Sequence, residues 1–228
     1  MIRSHSSDTI ASRIAAIREQ IPASVKLIAV TKQVSVDAMR EAYAAGVRDF
    51  GESRVQEAAA KQSQLLDLPD ITWHLIGHLQ SNKVKKALEL FQWIHSIDSL
   101  KLAQQCDAIA NQLSLSPQVC LQVKLLPDPN KYGFSLPELL EALPELDRCQ
   151  HLQIRGLMTI PPLDLPPPEI DSLFKRTRQL AQEIQQQRWS QIQIQHLSMG
   201  MSDDYPFAIA QGATMIRLGS ILFGERPK

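Results

Sequence analysis

Short apolar runs alternate with longer amphipathic stretches along almost the whole chain, and this alternation is what most restricts the fold. We count eight such runs, each bounded by polar residues, at 25–32, 47–53, 72–78, 93–98, 118–126, 154–160, 194–200 and 215–224. Strands that alternate with helices indicate βα units and a parallel sheet. Eight units in 228 residues predict a single closed (β/α)8 TIM barrel over residues 1–228. An open doubly wound sheet is the alternative, and the lack of a GxGxxG sequence after the first run counts against it.

An additional helix is predicted before the first strand. Four isoleucines recur at helical spacing and are expected to share one face: Ile10, Ile14, Ile17 and Ile21. We expect Ser7 or Asp8 to cap this helix and Pro22 to end it. Near the middle of the chain, the Pro-rich stretch 160–171 is predicted to be a stiff loop between the sixth strand and its helix, rather than a linker between domains.

Composition excludes several classes of function. Lys and Arg together number 24, as do Asp and Glu, and no segment is densely basic, which argues against nucleic-acid binding. No apolar run approaches the roughly 20 residues that cross a bilayer, and the N-terminus lacks the apolar centre of a signal peptide. The three cysteines, Cys106, Cys120 and Cys149, are far apart in the sequence, which predicts reduced thiols. We therefore expect a cytoplasmic protein, and the even surface composition favours a monomer.

Lys32 is the most informative single residue, because it follows the apolar run of the first strand. Functional side chains of such barrels gather at the C-terminal ends of the strands. An amine in a partly dry pocket has a lowered pKa, and its neutral form can attack an aldehyde to form a Schiff base. The alternative is a lysine that extends to water, which for a lysine considered alone is the more common situation.

The ends of the last two strands carry small residues and hydroxyls near predicted helix starts. Ser198 and Gly200 follow the seventh strand, and Gly219 and Ser220 follow the eighth. Backbone N–H groups and hydroxyls in such positions can bind an anion, and many barrels hold a phosphate there. Ordinary turn glycines are the alternative. Together with Lys32, a phosphate site would suit a phosphorylated aldehyde.

Arg217 is expected on the same strand face as Gly219, because side chains alternate with a period of two. An arginine inside a barrel needs an acceptor. A pyridine nitrogen could provide it, and the cation would disfavour protonation of that nitrogen. An ion pair with Glu52 is the alternative.

Two further groups of polar residues receive simpler interpretations. His74 and His78 are four residues apart, but they lie in a predicted strand without a third ligand at matching spacing, so we expect no metal site. Asp203 and Asp204 are expected to cap the next helix.

Several blocks of the sequence together resemble one known family. They are AVTK, DFGESRVQEA, WHLIGHLQSNKVK, IHSIDS, KYGF, RGLMTIP, LSMGMSDD and GATMIRLGSILFG. These blocks are similar to those of the pyridoxal phosphate homeostasis proteins, also called the proline synthase co-transcribed family. The resemblance extends from about Leu27 to Gly224, and its two longest specific blocks are WHLIGHLQSNKVK and LSMGMSDD.

The resemblance implies a modified TIM barrel like the barrel domain of alanine racemase, the type III fold of pyridoxal phosphate proteins. It implies that Lys32 holds the cofactor pyridoxal 5′-phosphate as a Schiff base and that Arg217 faces the ring nitrogen. The phosphate would be surrounded by Ser198, Gly200, Met201, Gly219 and Ser220. Where many members have asparagine near the ring hydroxyl, this chain has Ser53, which would reach it only through a water. Ser220 stands where threonine is common, and the hydroxyl is kept.

The resemblance also implies a protein that is not an enzyme and that balances the intracellular pools of the cofactor and of amino acids. Its partners would be pyridoxal phosphate, amino acids and cofactor-free enzymes that receive it. In the racemase a second base comes from an extra domain; this sequence ends four residues after Gly224, so we expect an open site without that base. A pyridoxal phosphate-dependent racemase or lyase is the alternative. A cofactor-independent phosphosugar aldolase or isomerase is a third hypothesis.

Overall fold

A computed structural model describes residues 9–128 and 131–224, and these residues form one closed barrel of parallel strands. Each strand pairs with the next along the chain, and the last pairs with the first. The strands are β1 (Lys26–Val30), β2 (Asp49–Glu52), β3 (Thr72–Leu75), β4 (Trp93–Ile97), β5 (Gln118–Gln122), β6 (Gln153–Met158), β7 (His196–Ser198) and β8 (Met215–Leu218). The predicted TIM barrel is therefore confirmed, and the open sheet is wrong.

Helices cover the outside of the barrel and contribute more residues to the apolar core than the strands do. They are α1 (Ile10–Gln20), α2 (Val36–Ala44), α3 (Val55–Gln62), α4 (Val84–Leu90), α5 (Leu100–Leu113), α6 (Leu136–Leu146), α7 (Pro167–Gln186), α8 (Tyr205–Ala210) and α9 (Ser220–Phe223). Trp73 and Leu75 of β3 pack into this outer core, as expected for strand residues that face helices. In the described part of the chain, none of these helices has both the length and the apolar character needed to cross a membrane.

The N-terminal helix is confirmed, but its cap differs from the expected one. Thr9 is the N-cap, and it forms a reciprocal capping box with Ser12. Ser7 and Asp8 lie outside the described residues. Ile14 and Ile17 are buried, as their spacing predicted.

The Pro-rich stretch is a loop only in its first part. Helix α7 begins at Pro167, because proline suits the first helical turn, where its missing N–H removes no hydrogen bond. The last strand is also shorter than the apolar run 215–224: β8 ends at Leu218, and the run continues as the short helix α9.

The barrel interior contains several buried polar side chains. A small apolar cluster inside it consists of Ile28, Trp93, Cys120, Met158 and Met215. Next to this cluster lie fully buried polar groups, among them His74, His95 and Ser198. The indole of Trp93 has its ring centroid 6.0 Å from that of His74 and 5.7 Å from that of His95. Polar groups buried this deeply need hydrogen-bond partners, and these three bond to one another beneath the candidate site.

Candidate functional site

A cavity of about 260 Å³ opens at the C-terminal end of the barrel. Six of the eight predicted site residues line it: Lys32, Ser53, Met201, Arg217, Gly219 and Ser220. The remaining wall consists of Val30, Ile76, Ile160, Ser202 and Asp203. The C-terminal ends of the strands thus place an amine, a guanidinium and several hydroxyl and amide donors around one cavity.

Lys32 lies in the turn just after β1 and is half-buried. The preceding residue, Thr31, is held from two sides. Its carbonyl oxygen accepts a hydrogen bond from Lys61 Nζ at 2.5 Å, and its hydroxyl donates to Glu52 Oε1 at 2.6 Å. Lys61 Nζ also pairs with Glu52 Oε1 at 2.8 Å. Burial raises the pKa of Glu52, although the hydrogen bonds from Lys61 and Thr31 oppose the shift.

The residue after Lys32 is held by the same network. Gln33 has φ +60°, a left-handed conformation that is uncommon without glycine, and its N–H donates to Glu57 Oε1 at 2.5 Å. Glu57 in turn pairs with Lys61 at 2.7 Å. Burial alone would raise the pKa of Glu57, but the hydrogen bonds from Lys61 and Gln33 outweigh it, and the pKa is lowered. Helix α3 therefore fixes the backbone on both sides of Lys32. Sequence reasoning missed this network.

Arg217 is almost completely buried at the floor of the cavity. Its Nη1 donates to Ser198 Oγ at 2.8 Å, and its Nη2 donates to the carbonyl oxygen of Thr159 at 3.0 Å. Burial lowers the pKa of Arg217 to about 10, so the group remains a cation at neutral pH. The alternative of an ion pair with Glu52 is wrong, because Glu52 pairs with Lys61 instead.

Two predicted residues lie behind the cavity wall rather than in it. The Ser198 side chain is fully buried, and its hydroxyl bonds to Arg217 and to His95 Nδ1 at 2.8 Å. Gly200 has φ +94°, and a Cβ there would lie 2.6 Å from the Cβ of Ala208. Both residues shape the wall from behind.

The turn between β7 and α8 arranges the donors of the cavity rim. The Met201 N–H donates to the Asp204 carboxylate, and the Gly219 N–H lies 3.4 Å from Ser202 Oγ, to which it donates. Asp204 occupies the N-cap position of α8, as expected of this acidic pair, but its side chain accepts from Met201 instead of capping the helix. Burial raises the pKa of Asp204.

The two histidines of the third run have separate environments. His74 points into the barrel, whereas His78 lies beyond β3, bonds to Asp98 at 2.9 Å and stacks on Tyr132 with a centroid distance of 3.6 Å. Within residues 9–128 and 131–224, no three His, Cys, Asp or Glu side chains are grouped as metal ligands. The buried partner of His74 is His95, which sequence reasoning did not single out. Period-two alternation in WIHSID was the available signal, because it places His95 on the same face as Trp93.

Comparison with known proteins bears directly on this arrangement. Residues 6–227 match the family model described as the N-terminal domain of alanine racemase. A curated relative from Synechocystis, named pyridoxal phosphate homeostasis protein, is 52% identical over 206 residues, which are 90% of this chain and 94% of the relative. The chain belongs to the pyridoxal phosphate homeostasis protein family. A second relative of the same name, from Pseudomonas aeruginosa, is 43% identical over 96% of this chain and 95% of its own length.

A solved structure of this family also matches the barrel closely. PipY of Synechococcus elongatus, solved with pyridoxal phosphate bound, is 56% identical to this chain, with a TM-score of 0.91. The match covers 95% of this chain and 100% of PipY. The family resemblance noted in the sequence is therefore confirmed, and the barrel of this chain is the family's barrel.

Proposed function

We propose that this protein binds pyridoxal 5′-phosphate as a Schiff base on Lys32 and acts in intracellular vitamin B6 and amino-acid homeostasis. The observation that carries this proposal is that Lys32 and Arg217 line one cavity whose rim provides hydroxyl and amide donors. This donor set fits the ligand group by group, since an amine suits the aldehyde, a cation suits the ring nitrogen, and neutral donors suit the phosphate. The names of the family relatives support the same assignment.

The phosphate would lie against Met201, Gly219 and Ser220 at the rim. The Met201 N–H would have to leave Asp204 to contact it, whereas the Ser220 hydroxyl lines the cavity directly. Ser198 and Gly200 would support this cradle from behind, through Arg217 and through the close packing on α8. Ser53 also lines the cavity and would contact the ring hydroxyl through a water.

We further propose that binding does not lead to amino-acid chemistry. Bound pyridoxal phosphate supplies an electron sink, which is strong only when its ring nitrogen is protonated. Arg217 donates all the hydrogen bonds described for it and is a cation at neutral pH, so it disfavours a proton on a nitrogen that faces it. The protein would then hold the cofactor and exchange it with amines, including amino acids and cofactor-free enzymes, as a cytoplasmic monomer with one domain.

A visible absorption spectrum tests the cofactor proposal. Protein loaded with pyridoxal phosphate should be yellow, and borohydride reduction should fix the cofactor on the peptide that contains Lys32. Lys32→Ala should remove both signals. Lys86→Ala is the matched control, because Lys86 lies on the surface of α4 and pairs with Glu89. An unchanged spectrum for Lys32→Ala would refute the proposal, and a colourless but active wild-type protein would favour the aldolase hypothesis.

Deuterium exchange tests the absence of catalysis. A panel of amino acids is incubated with loaded protein in heavy water, and α-proton exchange is followed by NMR. We expect no exchange above that of free pyridoxal phosphate. Enzyme-dependent exchange would instead assign the protein to the racemases or lyases.

A further inference from the structure

A continuous series of four short hydrogen bonds crosses the barrel interior beneath the cavity. Arg217 Nη1 lies 2.8 Å from Ser198 Oγ, which lies 2.8 Å from His95 Nδ1. His95 Nε2 lies 2.9 Å from His74 Nδ1, and His74 Nε2 lies 2.9 Å from Asp49 Oδ1. The side chains come from five different strands, and the middle three are fully buried.

The two ends of this series fix its direction. A guanidinium can only donate, and a carboxylate can only accept. His74 must therefore donate from Nε2 to Asp49, which leaves its Nδ1 as an acceptor if the ring is neutral.

The acceptor at His74 Nδ1 fixes the direction of the remaining bonds. His95 donates from Nε2 to His74, and its Nδ1 accepts from the Ser198 hydroxyl. That hydroxyl oxygen then accepts from Arg217. This single assignment satisfies every donor and acceptor of the series. A protonated ring at either histidine would turn His95 Nδ1 into a donor, and Ser198 would then receive two donors while its own hydrogen lost its acceptor.

We propose that Asp49, His74, His95 and Ser198 form one hydrogen-bond chain of fixed direction that positions the Arg217 guanidinium. His74 and His95 are thus positioning residues, both neutral and both carrying the proton on Nε2. The consequence for the ring nitrogen of a cofactor rests on the function proposed above. The chain itself does not depend on it.

Charged neighbours at the lower end support this direction. Lys26 Nζ donates to the same Asp49 oxygen at 2.8 Å, which helps to keep the carboxylate ionised. Burial would raise the pKa of Asp49, but the hydrogen bonds from His74 and Lys26 outweigh it, and the pKa is lowered. The ring centroid of His196 lies 5.2 Å from that of Trp93, and the hydrogen bond described for this ring is to Thr214 rather than to a member of the chain. Near Arg217, Asp204 and Cys120 are the remaining titratable groups that affect it. Hydrogen bonds aligned in one direction polarise each other. An acceptor at one end of the chain therefore strengthens the hydrogen bond that the donor at the other end makes.

NMR of the cofactor-free protein tests the chain directly. Protein labelled with 15N-histidine gives long-range 1H–15N spectra that distinguish the two neutral tautomers and the charged ring. His74→Gln and His95→Gln assign the two signals among the six histidines of the sequence. We expect both rings to show the neutral Nε2–H pattern from pH 6 to 8. An Nδ1–H pattern or a charged ring at either residue would overturn the proposal.

Variants of Asp49 test whether direction is transmitted. Asp49→Asn keeps the acceptor oxygen and should preserve both tautomers. Asp49→Leu removes it and should give mixed tautomers at His74 and also at His95, which Asp49 does not contact. A change confined to His74 would refute transmission. If Asp49→Leu does not fold, the tautomers of the unmodified protein still decide whether the chain has the proposed direction.

Cofactor release tests the positioning role. We expect His95→Gln to release pyridoxal phosphate about tenfold faster than the unmodified protein, because Ser198, which accepts from the guanidinium, is then no longer polarised by His95. Hydride reduction should still label Lys32. His196→Gln is the matched control and should release it at the original rate. Equal rates for His95→Gln and the control would overturn the positioning role.

If the tautomers are as expected but nothing binds, only the proposed function fails; if the cofactor binds but the tautomers differ, only this inference fails.

Discussion

Lys61 combines deep burial with three charged or polar partners, which makes it the side chain on which the turn at Lys32 depends. Its ammonium contacts the carboxylates of Glu52 and Glu57 and the Thr31 carbonyl, and its side chain is 9% exposed. Burial of an ion pair is costly in itself, but removal of one partner leaves the other charge buried and uncompensated. The network therefore holds the turn firmly only while all its members are present.

We expect Lys61→Met to lower the free energy of unfolding by about 3–5 kcal/mol, because Glu52 then remains buried without its partner. The double variant Glu52→Leu/Lys61→Met should recover most of this loss, since it removes both charges. Urea unfolding at neutral pH measures both effects. The control, Lys86→Met on the exposed face of α4, should change stability by less than about 0.5 kcal/mol. A loss below about 1 kcal/mol for Lys61→Met would contradict this account.

For single residues, the sequence predicts those whose position on a strand indicates their role. Lys32 and Arg217 were predicted because they lie at or near strand ends, where barrels place function. Lys61 could not be predicted, because a lysine on an amphipathic helix is ordinarily solvated, and only tertiary packing turns it inward. His95 could have been found from strand alternation, but its partners come from distant strands, which a single sequence does not bring together.

At the scale of elements, the β7–α8 turn shows how closely two elements approach at the site. Gly200 adopts a left-handed φ, and Tyr205 and Ala208 of α8 lie where a side chain would be. Only glycine satisfies both the conformation and the space. The carbonyl of Gly200 also accepts from the Arg217 N–H at 2.9 Å, so this turn is tied to the strand that carries the guanidinium.

Gly200→Ala should therefore destabilise the protein more than an alanine at a left-handed glycine that has space. Gly212 provides that comparison, since it has φ +88° and a Cβ there would have as its nearest neighbour the Cδ of Arg178, an atom of a flexible side chain, at 3.4 Å. We expect a cost of about 1 kcal/mol for Gly212→Ala and about 1–3 kcal/mol more for Gly200→Ala. Thermal and urea unfolding of the two variants measure the difference. Equal costs would show that the contact with α8 relaxes freely.

Element boundaries were predicted less well than element types. The eight apolar runs correspond to the eight strands, but each run extends beyond its strand at one end or both, with the excess greatest for 215–224. Residues after Leu218 stay apolar because α9 packs against α1, and a short apolar run does not distinguish a buried strand from a buried helix turn. The start of α7 inside the Pro-rich stretch was missed for a related reason, since proline both stiffens loops and begins helices.

For the whole molecule, the polar interior makes stability depend on pH. Burial lowers the pKa of His74 and lowers that of His95 well below the ordinary 6.5. The folded state keeps both rings neutral, whereas the unfolded chain binds protons below about pH 6.5. Their contribution is thus complete above that pH and is lost as the pH falls below it. Burial also lowers the pKa of His196, which therefore contributes in the same direction. The lowered pKa of Asp49 affects stability only below the ordinary value of 3.8.

We therefore expect the free energy of unfolding to decrease between pH 6.5 and pH 5 by up to about 1.4 kcal/mol per pH unit for each neutral histidine. Urea titrations at several pH values measure this slope. His95→Gln should reduce the slope by one histidine's share. The raised pKa values of Glu52 and Asp204 change the total slope in the opposite direction, but they do so equally in both proteins. Equal slopes for His95→Gln and the unmodified protein would therefore contradict neutral burial of His95.

Thiol reactivity provides an independent test of the packed interior. All three cysteines are buried, and burial raises the pKa of Cys106 and Cys120 to about 12 and that of Cys149 to about 11. Because the thiolate is the reactive form, the native protein should not react measurably with a disulfide reagent at pH 8. All three should react after unfolding in urea. Rapid reaction of any thiol in the native state would indicate local opening of the barrel.

The fold class was accessible from sequence because eight repeated βα units leave few alternatives. The polarity of the barrel interior could not be predicted from the sequence, because it depends on which inward-facing residues of different strands meet. Asp49, His74 and His95 each look ordinary in their own strands.

Trp93 gives this interior an optical readout. Its indole lies against three imidazole rings, those of His74, His95 and His196. A protonated imidazole quenches indole emission far more strongly than a neutral one. The intrinsic fluorescence of the native protein should therefore stay constant as long as the three imidazoles are neutral. It should decrease when the first of them is protonated, and no added dye is needed to follow this change.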